Sequence, residues 1–255
     1  FSGNCRKPDS LWWRVERMLV DEDWSPEQIS GVLRNEGLII CKQTIYNHIH
    51  ADVTGRLAMH TPHGLKYTRR MRRCRPTKAS NIRNRTSIHD RPEEADGRRF
   101  GDWEMDTIVD SYGHAILTLT ERSTNFILME RLPHGRKAKP VAKAVIRLLL
   151  PYRNTVRTIT TDNGCEFAEH EAISRALSMK GKTQNIVFFT DSYCSWQKGA
   201  VENANKLIRR CIKKKANFND YTDKFIMAIQ HKINKRPRKK LNFNTPKHCF
   251  FDFFR

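Results

Sequence analysis

Polar and apolar residues alternate along 101–109, which predicts a β-strand, and two more strands are predicted after it. The strands are expected at about 103–109, 115–121 and 126–132. Two further stretches, at about 156–161 and 186–190, are rich in β-branched and aromatic residues and predict two more strands.

Apolar residues at helical spacing predict helices between and after these strands. The helices are expected near 140–150, 166–178, 200–211 and 222–234. The resulting order of strands and helices predicts an α/β domain in which helices cover a sheet. In the third of these helices, the apolar face is expected to consist of Ala200, Ala204, Leu207, Ile208 and Cys211.

Three shorter helices are predicted near the N-terminus. The first covers about 11–20, and the second begins at Ser25-Pro26-Glu27-Gln28, whose serine and glutamine fit a capping box around a favourable proline. Gly37 is expected to end the second helix, and the third covers about 42–50. Three short helices with a tight turn fit either a helix-turn-helix or a generic three-helix bundle.

The charge of the chain points to a polyanionic partner. The 255 residues include 47 Lys and Arg against 27 Asp and Glu, a formal net charge of +20. Such an excess favours nucleic acid first and an anionic membrane surface second. No apolar run reaches the length of a membrane span, so we expect no membrane insertion.

The seven cysteines are scattered and form no C-x-x-C pair, which supports neither a zinc ribbon nor a disulfide framework. We therefore expect reduced thiols inside a cell. The N-terminal sequence has no features of a signal peptide, and it begins at Phe1 without an initiator methionine. We therefore expect the chain to be a fragment or truncated product.

A cation-rich stretch lies between the N-terminal helices and the predicted sheet. It has no apolar periodicity, so by itself it would be a solvated linker. Between a DNA-reading module and a nuclease-like domain, phosphate contact would be the better explanation, and the arginines we expect to bind DNA there are Arg69, Arg70, Arg72, Arg73 and Arg75. The predicted domains are residues 1–55 (helical), 56–98 (basic linker) and 99–255 (sheet domain with a basic C-terminal segment).

Three carboxylates stand in contexts that suit chemistry. Asp162 follows the strand at 156–161 and precedes Asn163-Gly164, and ligands collect at strand ends of this kind in α/β sheets. Asp106 shares one strand face with Asp102 and Glu104, and three acids on one face are costly unless they are solvated or bound to cations. The alternation alone does not say which of the three is the ligand. Taken alone, Asp162 with Asn163-Gly164 is better explained as a surface turn.

The third carboxylate, Glu202, begins a polar stripe on its helix. Lys206, Arg209 and Lys213 follow it at i+4, i+7 and i+11. An ordinary ion pair would account for this spacing.

Four motifs occur in order along the chain: G-D-W-E-x-D-T, T-D-N-G-x-E-F, S-W-Q-K-G-x-x-E-N-x-N-x-L-I-R and R-P-R-K-x-L-x-x-x-T-P. Together they resemble the bacterial insertion-sequence-thirty (IS-thirty) transposases of the DDE class, over about Trp24 to Phe251. The resemblance implies a ribonuclease-H-like mixed sheet flanked by helices, preceded by a small all-α helix-turn-helix domain. The stretch between Asp162 and Glu202 is several residues longer than the family usually shows, and we expect the surplus at 179–185.

The resemblance also implies a catalytic and metal-binding triad of Asp106, Asp162 and Glu202. The triad would hold two Mg²⁺ ions, for which Mn²⁺ would substitute. The implied reaction is binding of the terminal repeats, cleavage at the element end to give a 3′-OH, and joining of that end to target DNA. The expected partners are double-stranded DNA and further copies of the chain, as a homodimer or higher oligomer, in the cytoplasm and nucleoid of a bacterium.

DNA contacts are also expected from the third N-terminal helix and from the region of the Glu202 helix. The third N-terminal helix would enter the major groove, where glutamine and asparagine suit adenine edges. The DNA-binding candidates are Lys42, Gln43, Thr44, Asn47, Lys198, Lys206 and Arg209.

Two other functions remain open. A related integrase is disfavoured by the missing His/Cys zinc module, and a DNA-binding regulator with an inactive core is disfavoured by the complete triad.

Overall fold

The computed structural model describes residues 7–61, 82–178, 185–192, 194–212 and 216–255. These residues fall into two compact units. The first contains 7–61 together with 235–255, and the second contains the described residues from 82 to 234.

Residues 7–61 of the first unit fold into short helices around one apolar core. The helices are α1 (Asp9–Val20), α2 (Pro26–Asn35), α3 (Lys42–Ala51) and the single-turn α4 (Arg56–Met59). The three predicted helices are confirmed, and α4 is additional. The core contains Leu11, Val15, Leu19, Ile29, Leu33, Ile40, Ile45, Ile49 and Leu57.

The helix boundaries follow from local hydrogen bonding. Ser25 Oγ accepts from Gln28 N at 3.4 Å while Gln28 Oε1 accepts from Ser25 N at 2.9 Å, which is the predicted capping box. Gly37 has φ +82°, a conformation that ends the helix and that other residues adopt with strain. Cys41 caps α3, because its Sγ accepts from Thr44 N at 3.4 Å.

The described residues of the second unit form a six-stranded mixed sheet with the order β1-β6-β5-β2-β3-β4. Strands β2, β3 and β4 are antiparallel neighbours, whereas β1, β6, β5 and β2 run parallel. The strands are β1 (Thr86–Ser87), β2 (Asp102–Val109), β3 (Ala115–Glu121), β4 (Ile127–Leu132), β5 (Thr158–Thr161) and β6 (Val187–Phe189). The five predicted strands are confirmed, and β1 is an unpredicted strand within the expected linker.

Helices cover both faces of this sheet, since every residue of β3 is buried. They are α5 (Ala138–Leu149), α6 (His170–Leu177), α7 (Gly199–Cys211) and α8 (Asp223–Asn234). The architecture is therefore the predicted α/β type. The helix predicted at 166–178 is divided into a 3₁₀ turn at Cys165–Phe167 and the shorter α6.

The buried face of α7 differs from the predicted one. Val201, Ala204 and Ile208 are buried, whereas Ala200 is half-exposed and Cys211 is exposed. The two sets have the same helical period but are offset by one residue at the first position, and Ala204 and Ile208 of the buried set pack with β2–β4 and α8. Periodicity alone could not separate the sets because both begin with a small apolar residue.

The last described segment belongs to the first unit and ends in α9 (Pro246–Asp252). Gln28 Nε2 donates to Pro237 O at 2.6 Å, and Asn35 Nδ2 donates to Asn242 O at 2.8 Å. Side chains of α2 thus bind the backbone of this segment, while the domain boundary at 99–255 stays a prediction. Among the described residues, no helix has the length and apolar character needed to cross a membrane.

Candidate active site

Strand register brings Asp106 and Asp162 together. Glu104 on β2 lies opposite Thr160 on the parallel strand β5, so two residues further along Asp106 is level with Asp162. Neighbouring strands are about 4.8 Å apart, and level residues on parallel strands direct their side chains to the same face. The two carboxylates therefore meet where β5 ends.

Lys198 lies between these carboxylates. Its Nζ is 3.6 Å from Asp106 Oδ1 and 3.0 Å from Asp162 Oδ2, and its side chain is only 6% exposed. Burial lowers the pKa of Lys198, but the two carboxylates outweigh it and raise the pKa above its usual value. The amine is thus a cation shared by the two aspartates, a placement that its predicted role in DNA contact did not include.

Desolvation also raises the pKa of Asp106, and the neighbouring Asp162 adds to the effect while Lys198 opposes it. A carboxylate in this position gains from any cation placed beside it. Asp162 is more open, with 45% of its side chain exposed, so the pair is reachable from solvent.

The other two acids on the same face of β2 have partners of their own. Asp102 accepts from Arg99 Nη2 at 2.9 Å and from Thr158 Oγ1 at 2.6 Å. Glu104 accepts from Arg122 Nε at 3.0 Å and from Val201 N at 2.9 Å. The structure thus separates three acids that the alternation could not, since Asp106 is the one that shares a cation with Asp162.

Glu202 lies in the first turn of α7, between two residues that contact Asp106. Lys198 precedes it by four positions, and Asn205, three positions later, donates from Nδ2 to Asp106 Oδ2 at 2.8 Å. Residues three and four apart share a helix face, so the backbone of Glu202 faces the aspartates. In the described part of the chain, no three His, Cys, Asp or Glu side chains are grouped as a metal site, and the triad stays a prediction.

The residues present suit a hard divalent cation. Asp106 and Asp162 already approach one cationic atom, the Lys198 nitrogen, and they offer only carboxylate oxygens. Mg²⁺ prefers one or two carboxylates and retained waters. The donor set therefore fits Mg²⁺ better than a metal that selects nitrogen or sulfur.

Two polar residues of the site were not predicted. Asn205 orients Asp106, as described above. Glu166 is buried and accepts from Thr107 Oγ1 at 2.9 Å and from Arg136 Nη1 at 3.3 Å. A methyl group on Gly164 would lie 2.5 Å from a Glu166 oxygen and 3.1 Å from an Asp162 oxygen, so the two carboxylates are neighbours. Both residues stand in the quoted motifs, and those motifs were the available signal.

The two predicted DNA contacts on α7 have different surroundings. Lys206 is exposed. Arg209 donates from Nη2 to Val109 O at 2.9 Å, and its guanidinium carbon lies 5.6 Å from the centre of the Phe218 ring. Burial lowers the pKa of Arg209. The arginine therefore supports the end of β2, and its contact with DNA stays a prediction.

The candidates on α3 lie on its outer side. Lys42, Gln43 and Asn47 are exposed and Thr44 is half-buried, while Gln43 Nε2 donates to Asn47 Oδ1 at 3.0 Å. The linker arginines at 69, 70, 72, 73 and 75 lie outside the described residues.

Comparisons with known proteins point in one direction. No protein-family model matches the chain. The transposase for insertion sequence element IS4351 of Bacteroides fragilis is 39% identical over 241 residues, which are 91% of this chain and 70% of that protein. The transposase for insertion sequence element IS1086 of Cupriavidus metallidurans is 32% identical over 94% of this chain and 72% of its own length. Transposase InsI for IS30A of Escherichia coli is 34% identical, over 88% of this chain and 60% of its own length.

Proposed function

The chain belongs to the insertion-sequence-thirty family of transposases, and from that membership we propose that it cleaves DNA at the ends of an insertion sequence and joins them to target DNA. The observation that carries the proposal is the pair Asp106 and Asp162, which lie level on adjacent strands and share one cation.

The arrangement of the sheet supports a ribonuclease-H-like core. Three antiparallel strands are followed by parallel strands on the other side of β2, and helices alternate with the later strands. This is the order of elements that the resemblance implies. In this proposal Asp106 comes from the middle of the sheet, Asp162 from a strand end and Glu202 from a helix, so the triad joins three separately anchored elements.

Asp106, Asp162 and Glu202 would hold the Mg²⁺ ions. Two divalent ions, when bound, supply an activated oxygen nucleophile and neutralise the leaving oxygen in phosphodiester cleavage. The chain's own residues set up this site. Asn205 fixes the orientation of Asp106 by donating to its Oδ2. Glu104 accepts from Val201 N at the start of α7 and thereby places Glu202 beside the sheet.

The first unit would read sequence as a helix-turn-helix. In that geometry the second helix of the motif lies in the major groove and its N-terminal residues contact base edges. Gln43 and Asn47 are exposed on α3, and their amides can pair with adenine. Lys42 and Thr44 would add contacts at the same end, and the linker arginines and Lys206 would bind phosphates. We extend the proposal to a homodimer or higher oligomer on DNA.

A DNA-binding regulator with an inactive core is the second candidate. Lys198 favours it, because an ammonium group already neutralises the two aspartates. The two functions differ in one measurable reaction. The protein should be incubated with duplex DNA containing the end of its own element and with Mg²⁺ or Mn²⁺, and strand breaks should be mapped. A metal-dependent break at the element end with a free 3′-OH supports the transposase. Binding without any break supports the regulator.

A further inference from the structure

The C-terminal segment places basic residues next to the first residue of α3. Glu27 Oε1 lies 3.8 Å from Lys42 Nζ and 3.1 Å from Lys239 Nζ. Both ammonium groups therefore lie within salt-bridge distance of one carboxylate. Lys42 is the first residue of α3, so Lys239, near the C-terminus of the chain, lies beside the N-terminal end of the helix proposed to read DNA bases.

Several contacts hold this segment on α2. Gln28 Oε1 accepts from Arg236 Nε at 3.0 Å, while its Nε2 binds Pro237 O. The ring of Phe243 packs on Gly31, where a methyl group would come within 2.3 Å of the ring atoms. Because a glutamine of the capping box takes part, the same side chain fixes both the start of α2 and the position of residues 236–240.

The two lysines beside Glu27 are exposed, so an anion can reach them. The Lys42 and Lys239 side chains are 61% and 74% exposed, and Lys240 is exposed. Exposed ion pairs contribute little to stability, so Glu27 restrains these lysines weakly. Burial lowers the pKa of Arg238 to about 10, which leaves the guanidinium charged at neutral pH.

We propose that residues 236–240, here named the basic arm, form part of the DNA-binding surface of the first unit and contact the sugar-phosphate backbone beside the bases read by α3. The inference rests on the proposed function, because it takes α3 to be the helix that enters the major groove. Lysine and arginine contacts to phosphate fix the position of a protein on DNA and carry no direct sequence information. The basic arm therefore adds affinity and register, while α3 supplies base readout.

A consequence is that the DNA-binding surface is discontinuous in sequence. It combines residues before 61 with residues after 235, although the sheet unit lies between them in the chain. Removal of the last segment should thus weaken DNA binding even when α1–α3 are intact.

The test uses the full chain and two short duplexes, one with the element end and one of mixed sequence. Lys239→Ala should weaken binding to both duplexes by a similar factor of several-fold and reduce the slope of log affinity against log salt by about one. Lys239→Arg, which keeps the charge, should retain the wild-type slope. The matched control is Lys247→Ala, an exposed lysine of α9, which should bind like the wild type.

Glu27→Gln gives an independent readout. It removes the carboxylate that competes with phosphate for both lysines, so binding to both duplexes should become tighter. Thermal midpoints of all variants should match the wild type, since the substituted side chains are exposed or half-buried.

Two failures can be told apart. The basic arm alone would be overturned if Lys239→Ala kept the wild-type affinity and the wild-type slope of log affinity against log salt, while the wild-type protein still preferred the element end. Loss of base preference in Lys239→Ala would overturn it too, because a phosphate contact does not discriminate bases. No binding of either duplex by the wild type would overturn the proposed function together with the basic arm.

Discussion

At the scale of single residues, the candidate site depends on how two carboxylates tolerate one another. The register of β2 against β5 makes Asp106 and Asp162 neighbours, and Lys198 supplies the charge that offsets their repulsion. A divalent ion would offer more charge at the same oxygens. In the proposed metal site, the lysine would therefore stabilise the fold without metal and compete with metal for the aspartates.

Replacing Lys198 with Met tests this description. Breaking a buried ion pair costs about 3–5 kcal/mol, and we expect the lower end because the Asp162 side chain is 45% exposed. Denaturant unfolding without divalent ions should show a lower free energy of unfolding for this variant, and millimolar Mg²⁺ should restore much of that free energy. Lys143→Met, at an exposed site on α5, is the matched control. Equal unfolding midpoints for the two variants would remove Lys198 from this role.

At the scale of elements, the position of α7 decides whether Glu202 can join the aspartates. Glu104 is buried, and it binds both Val201 N at the first turn of α7 and the guanidinium of Arg122. Burial raises the pKa of Glu104, while the Val201 N–H and Arg122 oppose the rise. The carboxylate therefore connects β2 to the N-terminus of α7 by a hydrogen bond.

Glu104→Ala should remove that connection between β2 and α7. It leaves Arg122 without this carboxylate and the N-terminus of α7 without its acceptor, and losing one partner of a buried charged pair costs about 3–5 kcal/mol. Hydrogen exchange in α7 should accelerate along with the loss of stability. Glu130→Ala, which breaks the more exposed ion pair with Arg147, should cost about 0–1 kcal/mol. Similar effects from both substitutions would contradict the special role of Glu104.

At the scale of the whole molecule, local sequence patterns predicted those strands and helix boundaries that local interactions determine. Alternation predicted β2, and the capping box at Ser25 predicted the start of α2. The two-residue strand β1 is too short to show a period, so it could only be found from its pairing with β6. The docking of the C-terminal segment on α2 joins residues about two hundred positions apart, and no periodicity records such a contact.

The same distinction applies to the candidate site. The motifs identified Asp106, Asp162 and Glu202 as candidates, but the cation between the first two depends on three elements meeting in space. Lys198 in the sequence is one basic residue among 47 Lys and Arg, and nothing local distinguishes it as buried. Glu166 and Asn205 stand in the quoted motifs, but the motifs do not show their contacts with Thr107, Arg136 and Asp106.

The central claim is that Asp106, Asp162 and Glu202 together carry DNA cleavage. The most direct measurement compares Mg²⁺-dependent cleavage and binding of element-end DNA by Asp106→Asn, Asp162→Asn and Glu202→Gln with the wild type. Glu171→Gln, at an exposed position on α6, is the control. We predict that each triad variant loses cleavage and joining while it still binds the DNA end, and that the control cleaves normally. Substantial Mg²⁺-dependent cleavage by Asp162→Asn, or full activity of Asp106→Asn, would contradict the account.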